Sequence, residues 1–330
     1  MSKNDYCSHI ANTLSFHQRN VRFCTTLQLG EILSDYKEKS GKELAQKIIS
    51  LKENIIKNLD NDIIPKGCEN CIYRDSNEIS SKIKKLYLFY WYHCNCGCFY
   101  CSYRDETKGV FSDKKIEGNH LIYDTIKELY KNDKIDKNML EVCFGGGEVG
   151  VLKEFPKLIE LFLKHNVKFI WCDSSGIEYL KCLEKVLKKG KGGITVAVCA
   201  GSAETYKKIK NRDKYKQVMK NLKNYVKAAG KFKEDAAWNK ENVISKYIIL
   251  HGFNDNKEEV EKWITESQKI GLTKLEISME FCWGFQTKAG QKIEDYNFEL
   301  FDYAEKRCKE LGIALRKNET SVALMEKGVY

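Results

Sequence analysis

Three cysteines set the chemistry of this chain. Cys94, Cys98 and Cys101 lie in the run His-Cys-Asn-Cys-Gly-Cys-Phe-Tyr-Cys-Ser, a C-x3-C-x2-C spacing. A loop this short directs three thiolates at one inorganic centre. Thiolates select soft metals, so iron–sulfur clusters and zinc lead the candidates. Structural zinc takes four closed ligands, commonly as paired C-x2-C units. A 4Fe–4S cube held by only three thiolates keeps one iron open. An open iron binds a small molecule, which separates a catalytic cluster from one that only passes electrons. The loop also parses as Cys96, Cys98 and Cys101, so spacing by itself leaves zinc in play.

Other residues of chemical interest follow β-rich runs. Phe144-Gly145-Gly146-Gly147-Glu148 ends one of them. Three residues without side chains let the backbone approach a ligand's amino and carboxylate groups. Glu148 offers a charge-assisted hydrogen bond to an ammonium. Taken alone, such a run reads as a plain turn. Asp173, Ser174 and Ser175 close another run, and their hydroxyls serve equally as ligand contacts or as a helix cap. Cys7, Cys24, Cys68 and Cys71 form a second set of four, with Cys68 and Cys71 a tight pair able to grip one metal. Cys182 and Cys308 fall on helical patterns and read as small buried hydrophobes. Cys143, Cys172 and Cys199 lie near strand ends, and Cys282 follows the last β-rich run.

The elements that position these residues alternate from residue 82 onward. Strands are expected over 86–93, 139–144, 167–172, 194–199, 243–250 and 274–279, each short and rich in aromatic, Val or Ile residues. Helical patterns are expected over 118–131, 152–165, 177–189, 213–229, 257–270 and 295–311, several stopped by glycine at Gly190, Gly230, Gly271 and Gly312. Six βα units in series require a parallel sheet with right-handed crossovers, as an open sheet or an incomplete barrel. Ligands then gather at the C-terminal strand ends. The first 80 residues differ: a hairpin over 14–24, a helix over 41–59, and the Cys68–Cys71 pair.

At 330 residues the chain suits one large domain with a small annex. No apolar run approaches the roughly 18 residues of a membrane span, and the N-terminus lacks a signal-peptide layout, so no membrane association and a cytoplasmic location are expected. Fourteen cysteines without an export signal point to metal or redox chemistry. The net charge of +10 comes mostly from lysines on amphipathic helices, expected as solvated faces. No stacked-aromatic or RNA-recognition motif accompanies it, so nucleic acid is not an expected partner.

The three-cysteine loop, with Tyr100 just before its last cysteine, resembles the signature of the radical S-adenosylmethionine (SAM) superfamily. The Gly145–Glu148 segment resembles that family's GGE motif. Residues 246–255 resemble its adenine-contacting segment, and residues 201–209 its ribose-side segment, all in the expected order. The resemblance implies a partial (β/α)6 TIM-like barrel over 81–318, with a tail over 319–330. It implies Cys94, Cys98 and Cys101 as ligands of a 4Fe–4S cluster whose open iron takes SAM. Tyr100, Gly145, Gly146, Gly147, Glu148, Asp173, Ser174, Ser175, Ser202, Glu204, Ile249 and His251 are then expected around SAM. Reductive cleavage of SAM gives a 5′-deoxyadenosyl radical that abstracts hydrogen from substrate. A reducing partner such as flavodoxin or ferredoxin is implied.

Residues 1–80 look like a SPASM or Twitch auxiliary-cluster module, placed before the barrel rather than after it. Cys7, Cys24, Cys68 and Cys71 would hold a second 4Fe–4S cluster, with zinc as the alternative. The substrate expected is a peptide or an amino-acid derivative, undergoing epimerisation, crosslinking or oxidation. The alternative is a sugar or other small metabolite. Cys282 would return a hydrogen atom to the substrate radical. A non-enzymatic alternative is a cysteine-rich zinc protein that binds nucleic acid.

Overall fold

The computed structural model describes residues 12–17, 20–23, 33–34, 38–61, 63, 81–101, 121–230, 242–279 and 298–318. Cys7, Cys24, Cys68, Cys71 and Cys282 therefore lie outside the described residues. By internal contacts the chain divides into two units. The first comprises the described parts of Met1–Tyr92, Asp113–Gly147 and Leu152–Trp171, and the second those of His93–Ser112, Glu148–Val151 and Cys172–Tyr330.

The first unit holds β1 (Thr13–His17), β2 (Asn20–Arg22), β3 (Leu33–Ser34), α1 (Gly41–Asp60), β4 (Lys85–Phe89), α2 (Ile122–Lys131), β5 (Glu141–Phe144) and α3 (Phe155–Lys164). Its strands run in the order β5-β4-β1-β2-β3. The expected hairpin is present, with Phe16 opposite Val21 in an antiparallel pair. Its first strand does more than close a hairpin, because β1 pairs in parallel with β4, Leu14 beside Leu86 and Phe16 beside Leu88. Strand alternation puts Leu14, Phe16, Leu86, Leu88, Val142 and Phe144 on one buried face. Phe144 anchors that face edge-on to Phe155, with ring centroids 4.9 Å apart.

Helix α1 starts where Ser40 caps it. The Ser40 hydroxyl accepts from the Glu43 N–H, and the Glu43 carboxylate reaches back to the Lys39 N–H. On its buried face sits Lys52, only 6% exposed, with its ammonium 5.5 Å from the centre of the Phe23 ring. Burial holds this ammonium down to about 8. A base whose folded-state value is depressed costs stability wherever it is protonated in both states. That cost is full below pH 8 and fades as pH rises toward the ordinary lysine value. Lys52→Met keeps the volume and the helix propensity while removing the charge. It is expected to stabilise the unit by about 2 kcal/mol at pH 7, with the gain shrinking by pH 9.5. Paired thermal melts of both chains at the two pH values test this, and a gain independent of pH would refute it.

The second unit holds α4 (Lys181–Lys188), β7 (Gly192–Ala197), α5 (Ala203–Lys210), α6 (Tyr215–Ala229), β8 (Val243–Ile249), α7 (Lys257–Lys269), β9 (Lys274–Met279), α8 (Glu299–Glu310) and β10 (Ala314–Lys317). Strand β6 (Phe169–Ser174) crosses the division along the chain. The order β7-β8-β9-β10 is parallel throughout. In neither unit does the sheet close on itself. Across β8, β9 and β10, Lys246, Glu276 and Arg316 stand side by side in register. Burial would raise the Glu276 carboxyl, but Lys246 at 2.9 Å and Arg316 hold it below its ordinary value. Among the described residues, no helix is long and apolar enough to cross a membrane.

Candidate active site

The cysteine loop is the first segment of the second unit and follows β4 along the chain. Its described stretch, residues 93–101, makes few backbone bonds of its own: Cys101 N–H donates to the Cys98 carbonyl at 3.2 Å. Its shape comes from what it touches. Gly97 donates its N–H to the Lys210 carbonyl at the end of α5, at 2.9 Å. A Cβ on Gly97 would come within 3.2 Å of the Asn211 side chain, so the loop lies close against the α5 C-terminus. There Asn211 adopts a left-handed conformation with φ 50° and ends the helix. Arg212 donates from Nε to the Asn95 carbonyl at 2.7 Å.

The thiols form a chain of hydrogen bonds. Cys94 Sγ accepts from the Cys96 N–H at 3.4 Å, and the Cys96 thiol bonds to those of Cys94 and Cys98. The bond to Cys94 pushes the Cys96 thiol up to about 11. Bonding to Cys96, then burial, raises Cys98. Among the described residues, no three His, Cys, Asp or Glu side chains already converge on one metal position. The donor set nevertheless fits an iron–sulfur cluster: soft thiols on one short loop, able to exchange their mutual hydrogen bonds and their protons for metal.

Beneath the loop lies a buried polar cluster. The Lys210 side chain, 2% exposed, donates from Nζ to Tyr100 Oη at 2.7 Å and lies 3.5 Å from Cys199 Sγ. Tyr100 Oη is 3.4 Å from the same sulfur. Cys199 itself holds φ 59°, a backbone conformation costly for a non-glycine residue. Cys199 stands near a strand end as expected, whereas Lys210 has no motif to mark it. The buried residues of α5, Thr205, Tyr206, Ile209 and Lys210, recur at helical spacing. That spacing placed a lysine on the inward face and was legible once α5 was recognised as a helix. Around this cluster Phe99, Tyr100, Ala197 and Ile248 pack on Cys199, Ile209 and Leu250. Phe99 stacks on Phe253 at 4.3 Å.

Glu148 is 2% exposed and held by three donors. Its carboxylate accepts from the Gly150 N–H (3.1 Å), the Ser174 hydroxyl (2.7 Å) and the Ser175 N–H. Ser175 Oγ in turn donates to the Asn95 side chain in the cysteine loop, at 3.0 Å. Ser174 and Ser175 thus bind Glu148 and the loop, and the cap reading for them fails because α4 begins only at Lys181 with no side-chain cap. Asp173 is exposed. In the first unit, the glycine run is explained by crowding from protein. A Cβ on Gly145 would meet the Phe89 ring at 2.5 Å, and one on Gly146, at φ 101°, the Trp91 carbonyl at 2.8 Å.

The remaining site residues divide. Ser202 caps α5, accepting from the Thr205 N–H at 3.2 Å. Glu204 is exposed and pairs with Lys208 at 2.8 Å. His251 is exposed and bonds Asp255 at 2.8 Å. Ile249 is buried, but strand alternation turns it away from Ile248, and Ile248 with Leu250 meets Phe99 and Tyr100. Asn254, unforeseen and fully buried, donates to the Cys199 and Ile248 carbonyls, both at 2.8 Å, and accepts from Leu250 N–H. It ties the ends of β7 and β8 together. An open cleft of about 610 Å³ is lined by His93, Cys94, Asn95, Glu178, Arg212 and Lys214 among others.

Known proteins share this arrangement to different degrees. Over 137 residues the chain is 26% identical to a probable GTP 3′,8-cyclase of Methanococcus vannielii, an alignment covering 42% of this chain and 43% of that protein. The chain therefore matches less than half the length of this curated relative. Among solved structures, SuiB of Streptococcus suis bound to S-adenosylmethionine superposes with TM-score 0.54 at 10% identity, covering 83% of this chain and 56% of that one. SuiB bound to its precursor peptide SuiA gives TM-score 0.53 at 11% identity, covering 98% and 75%. These likenesses show the fold, an α/β partial barrel with a parallel sheet. The model of the radical SAM superfamily matches residues 89–265. That match begins on β4, just ahead of the cysteine loop, and takes in more than half of the chain, which makes this protein an enzyme of the radical SAM superfamily.

Proposed function

We propose that this radical SAM enzyme modifies a peptide or an amino-acid derivative, with Cys94, Cys98 and Cys101 holding the SAM-binding 4Fe–4S cluster. The observation that carries the assignment of the site is the bonding of the cysteine loop, through Asn95 and Ser175, to the buried Glu148 carboxylate. When bound, the cluster and SAM supply a carbon radical able to take hydrogen from an unactivated C–H bond. The chain's own residues position and shield. Glu148 has about four lone-pair sites and three internal donors, so one site is left for the ligand's ammonium. Lys210 sets a buried positive charge beside the Cys199 sulfur, and that charge also favours the ionised forms of Cys96 and Cys98. Phe99, Ile248 and Leu250 make an apolar wall that keeps water away.

The peptide reading draws support from the fold shared with SuiB bound to its precursor peptide. The alternative, a small metabolite, draws on the relative named as a GTP cyclase. In our reading Cys7, Cys24, Cys68 and Cys71 hold an auxiliary 4Fe–4S cluster in a SPASM-like segment, and Cys282 donates hydrogen to the substrate radical. A reducing compartment such as the cytoplasm, which keeps thiols available for a cluster, completes the proposal. Family membership sets aside the non-enzymatic zinc reading.

Counting iron, sulfide and zinc on anaerobically purified protein tests both sites. About eight irons in the wild type and about four in the Cys94/Cys98/Cys101 triple-Ala variant are expected. Four irons falling to none, with or without one zinc, would remove the auxiliary cluster from the proposal. For the substrate, GTP and short cysteine-containing peptides are compared as stimulants of 5′-deoxyadenosine formation. Stimulation by GTP alone would overturn the peptide reading.

A further inference from the structure

The positive charge of this protein is not evenly spread. Residues 203–229 carry nine Lys or Arg and two Asp or Glu, a net of +7 against +10 for the whole chain. On two other helices of the second unit, some surface lysines are matched by carboxylates. On α7, Lys262 pairs with Glu258 at 2.6 Å and Lys269 with Glu266 at 2.7 Å, and on α4 Lys188 pairs with Glu184 at 3.0 Å. Helix α6 is built differently. It contains no acidic residue, and its inward face is Val218, Met219, Asn221, Leu222 and Tyr225. Its outward face is Lys216, Lys220, Lys223 and Lys227, at helical spacings of four, three and four. All four are exposed, and none forms an ion pair among the described residues. The stripe runs for about 17 Å along the helix.

Such a stripe is costly unless something negative covers it, because like charges three and four apart on a helix repel. Its position gives the occupant. The stripe starts two residues after Lys214, and Lys214 and Arg212 line the same cleft as Cys94 and Asn95. Arg212 reaches across to the Asn95 carbonyl at 2.7 Å. The basic face therefore leads to the edge of the loop that we read as the cluster loop. We propose that the lysine face of α6, together with Arg212 and Lys214 at the cleft, is the docking surface for an acidic one-electron carrier protein of the flavodoxin type. This rests on the reading of Cys94, Cys98 and Cys101 as cluster ligands.

The step served is a single electron transfer: the carrier's reduced flavin loses one electron, the cluster at the loop gains it, and no bond is made or broken. Complementary charge steers the encounter and sets orientation, so the effect belongs mainly to the association rate and fades with salt. A nucleic acid would also fit a basic stripe. The nearness of the cysteine loop favours the carrier, since an electron donor must bring its redox group up to the acceptor and a nucleic acid has no such need.

The test uses the full-length, cluster-loaded enzyme and the variant Lys216→Glu, Lys220→Glu, Lys223→Glu. These side chains are exposed, and a glutamate at 216 suits the first turn of α6, so folding is preserved. Two readouts are taken: 5′-deoxyadenosine formation driven by reduced flavodoxin or by dithionite, and the Kd of oxidised flavodoxin. At low salt the flavodoxin-driven rate is expected to fall by about tenfold or more, with Kd weakened in step. The dithionite-driven rate should stay unchanged, and the difference should close as salt is raised. An unchanged flavodoxin-driven rate and Kd would overturn the proposal. So would a single-stranded RNA probe that loses binding in the variant while flavodoxin binding is retained. A wild type that makes no 5′-deoxyadenosine even with dithionite would count against the cluster assignment instead. The flavodoxin titration, which needs no turnover, would still decide the docking surface.

Discussion

Replacing Cys98 by Ala is expected to abolish SAM cleavage while leaving the fold in place. Of the thiols in the loop, Cys98 and Cys101 belong to both possible ligand sets, Cys94/Cys98/Cys101 and Cys96/Cys98/Cys101. In either set the loss of Cys98 leaves only two thiolates, too few to hold a cube by three of its irons, so the cluster is lost with it. The variant should show no 5′-deoxyadenosine above background and should lose the brown colour of its cluster. The cost to apo stability is below about 1 kcal/mol, as for removal of one small side chain outside a packed apolar core. Cys96→Ala is the informative companion. Cys96 is 5% exposed and hydrogen-bonds to both Cys94 and Cys98. If Cys94 is the ligand, Cys96→Ala keeps iron and activity while Cys94→Ala loses both. The reverse outcome would establish the second parse of the loop, through Cys96, Cys98 and Cys101, and overturn the ligand assignment made here.

The strands were the legible part of this chain. Strand β9 lies at 274–279 as periodicity and composition require, and β8 ends one residue early. Strands β6 and β7 shift by two residues, β5 starts two late and β4 ends four early. Residues 90–93 look like strand but leave β4 to enter the cysteine loop, where Glu148 N–H binds the His93 carbonyl at 2.8 Å. The run 167–172 continues to Ser174 because the Glu148 carboxylate holds Ser174 and Ser175 in place. For the same reason α4 starts four residues late, at Lys181 rather than at 177. Long-range polar bonds of this kind have no local sequence signature.

Three elements went unseen, the two-residue β3 among them. Helix α5 is only eight residues long, about two turns, and was read for its resemblance rather than its periodicity. That concealed Lys210. Strand β10 reads Ala-Leu-Arg-Lys, with too few apolar residues to announce itself, and it exists because Leu315 pairs beside Leu275 and Arg316 beside Glu276 at the sheet edge. The parallel pairing of β1 with β4 was also beyond reach. A hairpin states its own turn, whereas a crossover partner some 70 residues away is chosen by tertiary packing. Chemistry carried by residue type, above all the cysteine loop, was legible. The network that holds it in place was not.

That network gives the second large effect. Glu148→Ala is expected to destabilise the chain by about 3–5 kcal/mol, because it strands three donors in a buried site. The Ser174 hydroxyl can rotate, but the N–H groups of Gly150 and Ser175 cannot. Glu148→Gln separates charge from shape. One amide orientation offers its oxygen to Ser175 and sets its NH2 against Gly150, and the other does the opposite. Either way one backbone N–H meets a donor, at a cost of about 1–3 kcal/mol. Melting midpoints of the apo proteins should therefore fall in the order wild type, Gln, Ala, with the Ala variant down by about 10 °C. The reach of the loss is informative too. Ser175 loses its anchor and with it the 3.0 Å bond to Asn95, so the loop bearing Cys94 should loosen and iron occupancy should fall even in the Gln variant. If both variants melt with the wild type yet fail to bind SAM, Glu148 acts on the ligand alone, and the structural role argued here is wrong. If they melt early but retain SAM binding, the carboxylate is a brace for Ser174 and Ser175, and the ligand's ammonium is met by another group.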